Sequence, residues 1–206
     1  MTRDELIAEV KRLQHMTSSE PEKPKEYVKI VVFAILAACT YGITHDLVTA
    51  HVCVEYFLPP VHPIIVPTDN PFLLALIWGI VATWWVGLFL GIPLAVVCRF
   101  GTKPKLMVKD VVRPILILLA FLYVVSMLLG MVGYIAGQTG SVLGLLFYTL
   151  PCYHLIAPER CAPFLFNLYA HNAAYLLGAI GGVVLMLRLW KKRKTLAYVA
   201  DSVNKQ

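Results

Sequence analysis

The chain has 206 residues, 59% of them hydrophobic and only 15% charged, and its 18 lysines and arginines outnumber 12 acids for a formal charge of +6. Soluble domains average roughly 45 to 50% apolar and 25% charged residues, so this composition argues against a water-soluble enzyme. The cations flank long apolar runs and not aromatic or polar recognition segments, which points to membrane topology and away from nucleic acid.

At the N-terminus, Thr2-Arg3-Asp4-Glu5 matches a capping box, and Leu6, Ile7, Val10 and Leu13 form one stripe of a short amphipathic helix. This segment has no early apolar core or small-residue cleavage site, so it is not a secretory signal. It reads as a helix docked on the membrane or a partner, or as a solvated tail. A polar linker with prolines, Thr17 to Glu26, follows. Four stretches then meet the need for about 20 apolar residues to cross a bilayer: Tyr27 to Thr49, Phe72 to Val97, Val111 to Ala136 and Phe164 to Leu187. The run Ser141 to Leu150 is too short to cross and is bounded by Gly140 and Pro151, which predicts a re-entrant or interfacial piece. In the second span, Gly79, Thr83, Gly87 and Gly91 make a small-residue ridge for close helix approach, and Pro93 predicts a kink; Ala174, Gly178 and Gly181 or Gly182 repeat the ridge in the fourth.

Orientation follows from the cations, because cytoplasmic flanks carry an excess of them. Arg160 alone lies outside the three flanks before the first span, between the second and third, and after the fourth. The expected fold class is therefore all-α, a four-helix transmembrane bundle in a bacterial cytoplasmic membrane, with both termini cytoplasmic and Pro-rich external loops. Its divisions are a cytoplasmic amphipathic helix and linker (1–26), a transmembrane domain (27–190) and a basic cytoplasmic tail (191–206) that touches anionic lipid. The partner is the lipid bilayer; a homo-oligomer or a membrane complex is compatible with it.

The unusual chemistry lies on the external side. His45, His51, His62, His154 and His171 fall in the two external loops or the adjoining span ends, together with Asp46, Glu55, Asp69 and Glu159. Tyr41, His45 and Thr49 share a face of the first span, and Asn167, His171 and Tyr175 repeat that spacing on the fourth. His51 and Glu55 meet on one face if the first span continues past Thr49. His45 and Asp46 are neighbours whose side chains diverge by about 100° on a helix, which predicts that one of them serves another partner.

The stretch from Thr44 to Pro63, THDLVTAHVCVEYFLPPVHP, resembles a pattern in multi-spanning bacterial membrane proteins. The likeness is carried by His45, Asp46, Glu55, Tyr56, Phe57, His62 and Pro63, with a later His171-Asn172 pair on the last span. It supports the choice of residues and implies no activity.

Clustered imidazoles and carboxylates are a metal-ligand composition. The expected ligands are His45, Asp46, Glu55, His62 and His171, supported by Tyr41, His51, Asn167, Asn172 and Tyr175. Mixed nitrogen and carboxylate ligation suits zinc, iron or manganese, and an open position would make such an ion an oxidoreductase or hydrolase centre. Two alternatives use the same residues: b-type haem with His45 and His171 as axial ligands, and cation or proton transport. Against transport, the inner halves of the spans carry almost no ionisable residue. A structural component without catalysis also stays open. The five cysteines, at 39, 53, 98, 152 and 161, contain no CxxC motif; Cys152 and Cys161 are close enough in sequence for a disulfide, with the pairing unfixed.

Overall fold

Long apolar stretches with few helix breakers satisfy their backbone groups internally, which is what hydrocarbon demands. The computed structural model describes residues 2–18, 24–139 and 156–203, and every regular element among them is helical. The elements are α1 (Arg3–Ser18), α2 (Pro24–Val52), α3 (Pro71–Val81), α4 (Trp84–Arg99), α5 (Val108–Thr139) and α6 (Cys161–Val203), with short 3-10 turns at Val54–Phe57 and Pro158–Arg160. Four stretches are long and apolar enough to cross a membrane: Glu26–Val52, Pro71–Arg99, Val108–Thr139 and Pro158–Ser202. The last is longer than the apolar pattern implied, because the basic segment after residue 190 continues α6 without a break. The apolar run 141–150, Cys152 and His154 lie outside the described residues, and so does any pairing of Cys152 with Cys161.

The second span breaks where proline chemistry does not predict it. α3 ends at Val81 and α4 begins at Trp84, while Pro93 sits inside α4. The Thr83 hydroxyl donates to the Gly79 carbonyl and the Thr83 amide bonds back to Ile80, three residues away. Local hydroxyl and tighter-turn bonding thus compete with the α-helical ladder at this point. The start of α3 is conventional: Pro71 occupies the first turn, and Asn70 Oδ1 accepts from the Phe72 and Leu73 amides at 2.9 and 3.2 Å.

The chain folds into two compact units. The first comprises Met1–Ala37, Val86–Ile117 and Ile180–Gln206. Here α1 opens with the expected capping box: the Glu5 amide donates to Thr2 Oγ1, and Glu5 Oε2 accepts from the Thr2 amide. The helix is docked, with Val10 buried, Arg12 bonded to both Glu9 and Asp110 at 2.7 Å, and Lys192 3.3 Å from Glu9. Arg193 is 2% exposed and donates to the carbonyls of Val97, Phe100, Lys103 and Pro104 at 2.5 to 3.0 Å. Val97 lies in the last turn of α4, where carbonyls lack intrahelical donors, and the other three belong to the segment that follows, so Arg193 ties that segment to the helix end. Gly101, at φ +82°, makes the left-handed turn that follows α4.

The second unit comprises Ala38–Trp85 and Leu118–Ala179. α2 and α3 touch backbone to backbone, since a Cβ on Gly42 would lie 2.3 Å from the Gly79 carbonyl oxygen. α5 and α6 do the same: a Cβ on Gly133 would lie 2.4 Å from the Leu165 carbonyl, and one on Gly137 would lie 2.7 Å from the Ala162 Cα. Small residues supply close packing where lipid removes the hydrophobic drive for helix association. Below these crossings Ala50, Cys53, Tyr56, Phe57, Leu74, Ala75 and Phe164 form an apolar core.

A His-Asp-His candidate metal centre

The site lies wholly in the second unit, where the C-terminal part of α2 faces the N-terminal part of α6. α6 is registered on α2 by Asn167, which is fully buried and donates from Nδ2 to the Thr49 and Cys53 carbonyls at 2.9 and 3.0 Å. Thr49 lies in the last turn of α2 and Cys53 just past it; each carbonyl also accepts a backbone amide, from Cys53 at 2.9 Å and from Tyr56 at 3.3 Å, so Asn167 is a second donor to both. One turn further along α6, His171 Nδ1 is 2.9 Å from the Asn167 carbonyl. That oxygen only accepts, so Nδ1 carries a proton and Nε2 is the nitrogen left for another partner.

That nitrogen faces Asp46. His171 Nε2 lies 3.3 Å from Asp46 Oδ1, and His45 Nδ1 lies 3.2 Å from the same oxygen. The three side chains are 12%, 7% and 3% exposed in the order His171, Asp46, His45. One donor atom from each of them falls within 4.8 Å of the others, an arrangement able to hold a metal ion. His45 and Asp46 were expected to diverge as helix neighbours, yet they converge on one point. The Cβ atoms do diverge, but the imidazole Nδ1 and the carboxylate Oδ1 lie further out along their side chains and reach one another, and His171 comes to the same oxygen from the facing helix. His45 Nε2 is buried without a hydrogen bond of ordinary geometry among the described residues, and so is Asn167 Oδ1.

An aromatic wall encloses the cluster. The Tyr41 ring stacks on His45 at 5.7 Å, and its hydroxyl is 3.3 Å from Ser126 Oγ. The His45 and His171 rings meet edge to face at 4.7 Å, and His171 also packs on Tyr56 at 4.7 Å and Phe57 at 5.6 Å. His62 lies on the other side of this wall, against Tyr56, Phe57 and Trp78 at 5.2, 6.0 and 4.7 Å. Its Nδ1 donates to the Tyr56 carbonyl at 2.5 Å, and burial pushes the imidazole below its ordinary pKa. Sequence reasoning gave no role to Ser126 or Trp78, which carry no periodic polar signal.

The remaining expected residues have other partners. α2 stops at Val52, so His51 and Glu55 do not share a helix; His51 is exposed and bonds the Leu47 carbonyl at 2.7 Å. Glu55 forms a two-pronged pair with Arg160, at 2.8 and 2.9 Å, which holds its carboxyl down at about 2. This is the job of the one cation that departed from the flanking pattern. Cys53 is fully buried, places Sγ 3.3 Å from Glu55 Oε2, and is pushed up to about 12 by that burial, so it is an inert thiol. Asn172 and Tyr175 are exposed on the outer side of α6. Comparison with family models, curated proteins and solved structures produced no match, so the chemistry of the site rests on its own geometry.

Proposed function

We propose that this is an integral membrane protein that binds one divalent transition metal ion, zinc, iron or manganese, through His45, Asp46 and His171. The observation that carries this reading is the pair of 3.2 and 3.3 Å separations around Asp46 Oδ1. Metal bonds of about 2.0 Å at the tetrahedral angle put neighbouring donor atoms about 3.3 Å apart. A charge-assisted N–H to carboxylate hydrogen bond is shorter, about 2.7 to 2.9 Å. With Nδ1 of His171 bonded to the Asn167 carbonyl, Nε2 is the nitrogen left to meet a metal ion beside Asp46.

Three protein donors leave a fourth position, the arrangement used by catalytic rather than structural zinc. Two neutral imidazoles and one carboxylate leave net positive charge on a divalent ion, which favours activation of a bound water and so hydrolase chemistry, or oxidoreductase chemistry with a redox metal. Haem is disfavoured: iron bonds of about 2 Å to opposed nitrogens would hold the two rings well apart across a flat macrocycle, whereas these rings touch at 4.7 Å. The other physical reading is a proton shared along His45, Asp46 and His171, without metal.

Elemental analysis of the purified protein, with an optical spectrum, separates these readings. A stoichiometric transition metal, lost in His45→Ala and His171→Ala while circular dichroism keeps its helical signal, is the expected result. Metal-free wild-type protein purified without chelator, in the presence of added zinc, iron and manganese, would sink the proposal.

A further inference from the structure

An apolar cavity of about 270 Å³ lies between the 59–68 loop and the first turns of α3, with Phe57, Leu74, Ile77 and Trp78 among its walls. Thr68 and the Trp78 indole supply the only polar side-chain groups in its lining. Ile64, Ile65 and Val66 also line it, and they are 68%, 45% and 42% exposed. Three consecutive exposed aliphatic residues form its rim, in the 53–70 connection between two stretches long and apolar enough to cross a membrane. A water-soluble ligand gains nothing from such a rim, whereas a bilayer both covers these side chains and supplies hydrocarbon chains at high local concentration. The volume is just under the range of about 300 to 1,000 Å³ typical of drug-sized ligands, so it suits one narrow chain.

The cavity shares its wall with the candidate centre. Phe57 and Trp78 both contact the ring of His62, and Phe57 contacts His171 as well. With Nδ1 bonded to the Tyr56 carbonyl, His62 keeps Nε2 as an acceptor for a hydroxyl or acid group.

We propose that this cavity binds the hydrocarbon chain of a membrane amphiphile, and that the centre at His45, Asp46 and His171 acts on an amphiphile presented from the bilayer. The second clause rests on the metal reading; the first stands on the cavity alone.

The test uses full-length protein with Trp84, Trp85 and Trp190 changed to Phe, leaving Trp78, in phosphatidylcholine nanodiscs titrated with a trace of dibrominated stearic acid. A companion protein keeps Trp84 as its only tryptophan and reports ordinary lipid contact. Expected is saturable quenching of Trp78, several-fold stronger than the linear quenching of Trp84. Val66→Phe, or independently Ile65→Phe, fills the rim and reduces Trp78 quenching to the Trp84 level, with metal content of the same samples unchanged. Linear quenching equal for the two tryptophans overturns the chain site, as does saturable quenching that both substitutions leave intact. Saturable quenching in a metal-free protein keeps the chain site and overturns the centre's part in it; bound metal with linear quenching overturns both clauses and leaves only the metal reading standing.

Discussion

Asp46 is the residue on which the site turns, because one of its oxygens meets both imidazoles. Asp46→Asn keeps the shape and removes the charge, and it should weaken metal affinity by at least the 10- to 100-fold seen when even an outer-shell partner is lost; competition with a chromogenic chelator measures this. Asn167 works one step back, through α2 and through the His171 tautomer. Asn167→Ala removes two buried hydrogen bonds to carbonyls that keep their backbone donors, and at about 0.5 to 1.5 kcal/mol each it should cost about 1 to 3 kcal/mol in thermal unfolding in detergent. Asn167→Asp should be worse than Asn167→Ala, because its carboxylate would face two carbonyl acceptors. The pair between Glu55 and Arg160 has a defined pH signature. The Glu55 carboxyl is held down from 4.5 to about 2 in the folded chain, so its contribution is present above pH 4.5 and is lost as pH falls toward 2. At 37% and 39% exposure of the two side chains the effect is modest. Glu55→Gln should flatten the loss of melting temperature across that acid window and change little at neutral pH.

At the level of elements, glycines that look alike in sequence divide by what faces them. Gly42 and Gly79 set α2 against α3 with no room for a methyl group, whereas a Cβ on Gly178 would meet only Leu122 at 3.8 Å. Gly42→Ala should therefore destabilise by about 1 to 3 kcal/mol or more, as overpacking does. Gly178→Ala should be neutral or stabilising by about 0.5 to 1 kcal/mol, through helix propensity; thermal unfolding of the two variants side by side checks the contrast. The ridge from Gly79 to Gly91 was legible in the sequence because its spacing is regular. Gly42, Gly133 and Gly137 were not singled out, since their importance depends on which backbone crosses them. The end of α4 shows the same limit. Arg193 reads as one more member of a basic run, yet it is buried on four carbonyls, a role visible only when the 97–104 segment folds around it.

For the molecule as a whole, the four stretches long and apolar enough to cross a membrane expose large apolar side chains such as Phe89, Ile117, Leu128 and Leu176, as a bilayer-embedded surface requires. The flanking lysines and arginines predict both termini on the cytoplasmic side. Tags at either end should then be cleaved together in inside-out vesicles and protected together in right-side-out ones; cleavage of one tag alone would refute the arrangement. Length and hydropathy by themselves determined the number and position of the stretches able to cross a membrane, because bilayer thickness imposes a nearly local requirement on the chain. The residue types of the site were also legible, as costly polar groups set among apolar neighbours. Only the tertiary structure decided that Asp46 joins His45 and His171, that Glu55 is engaged by Arg160, and that His62 stands behind an aromatic wall. Those outcomes depend on rotamers and on the register of helices more than a hundred residues apart, which no local pattern encodes.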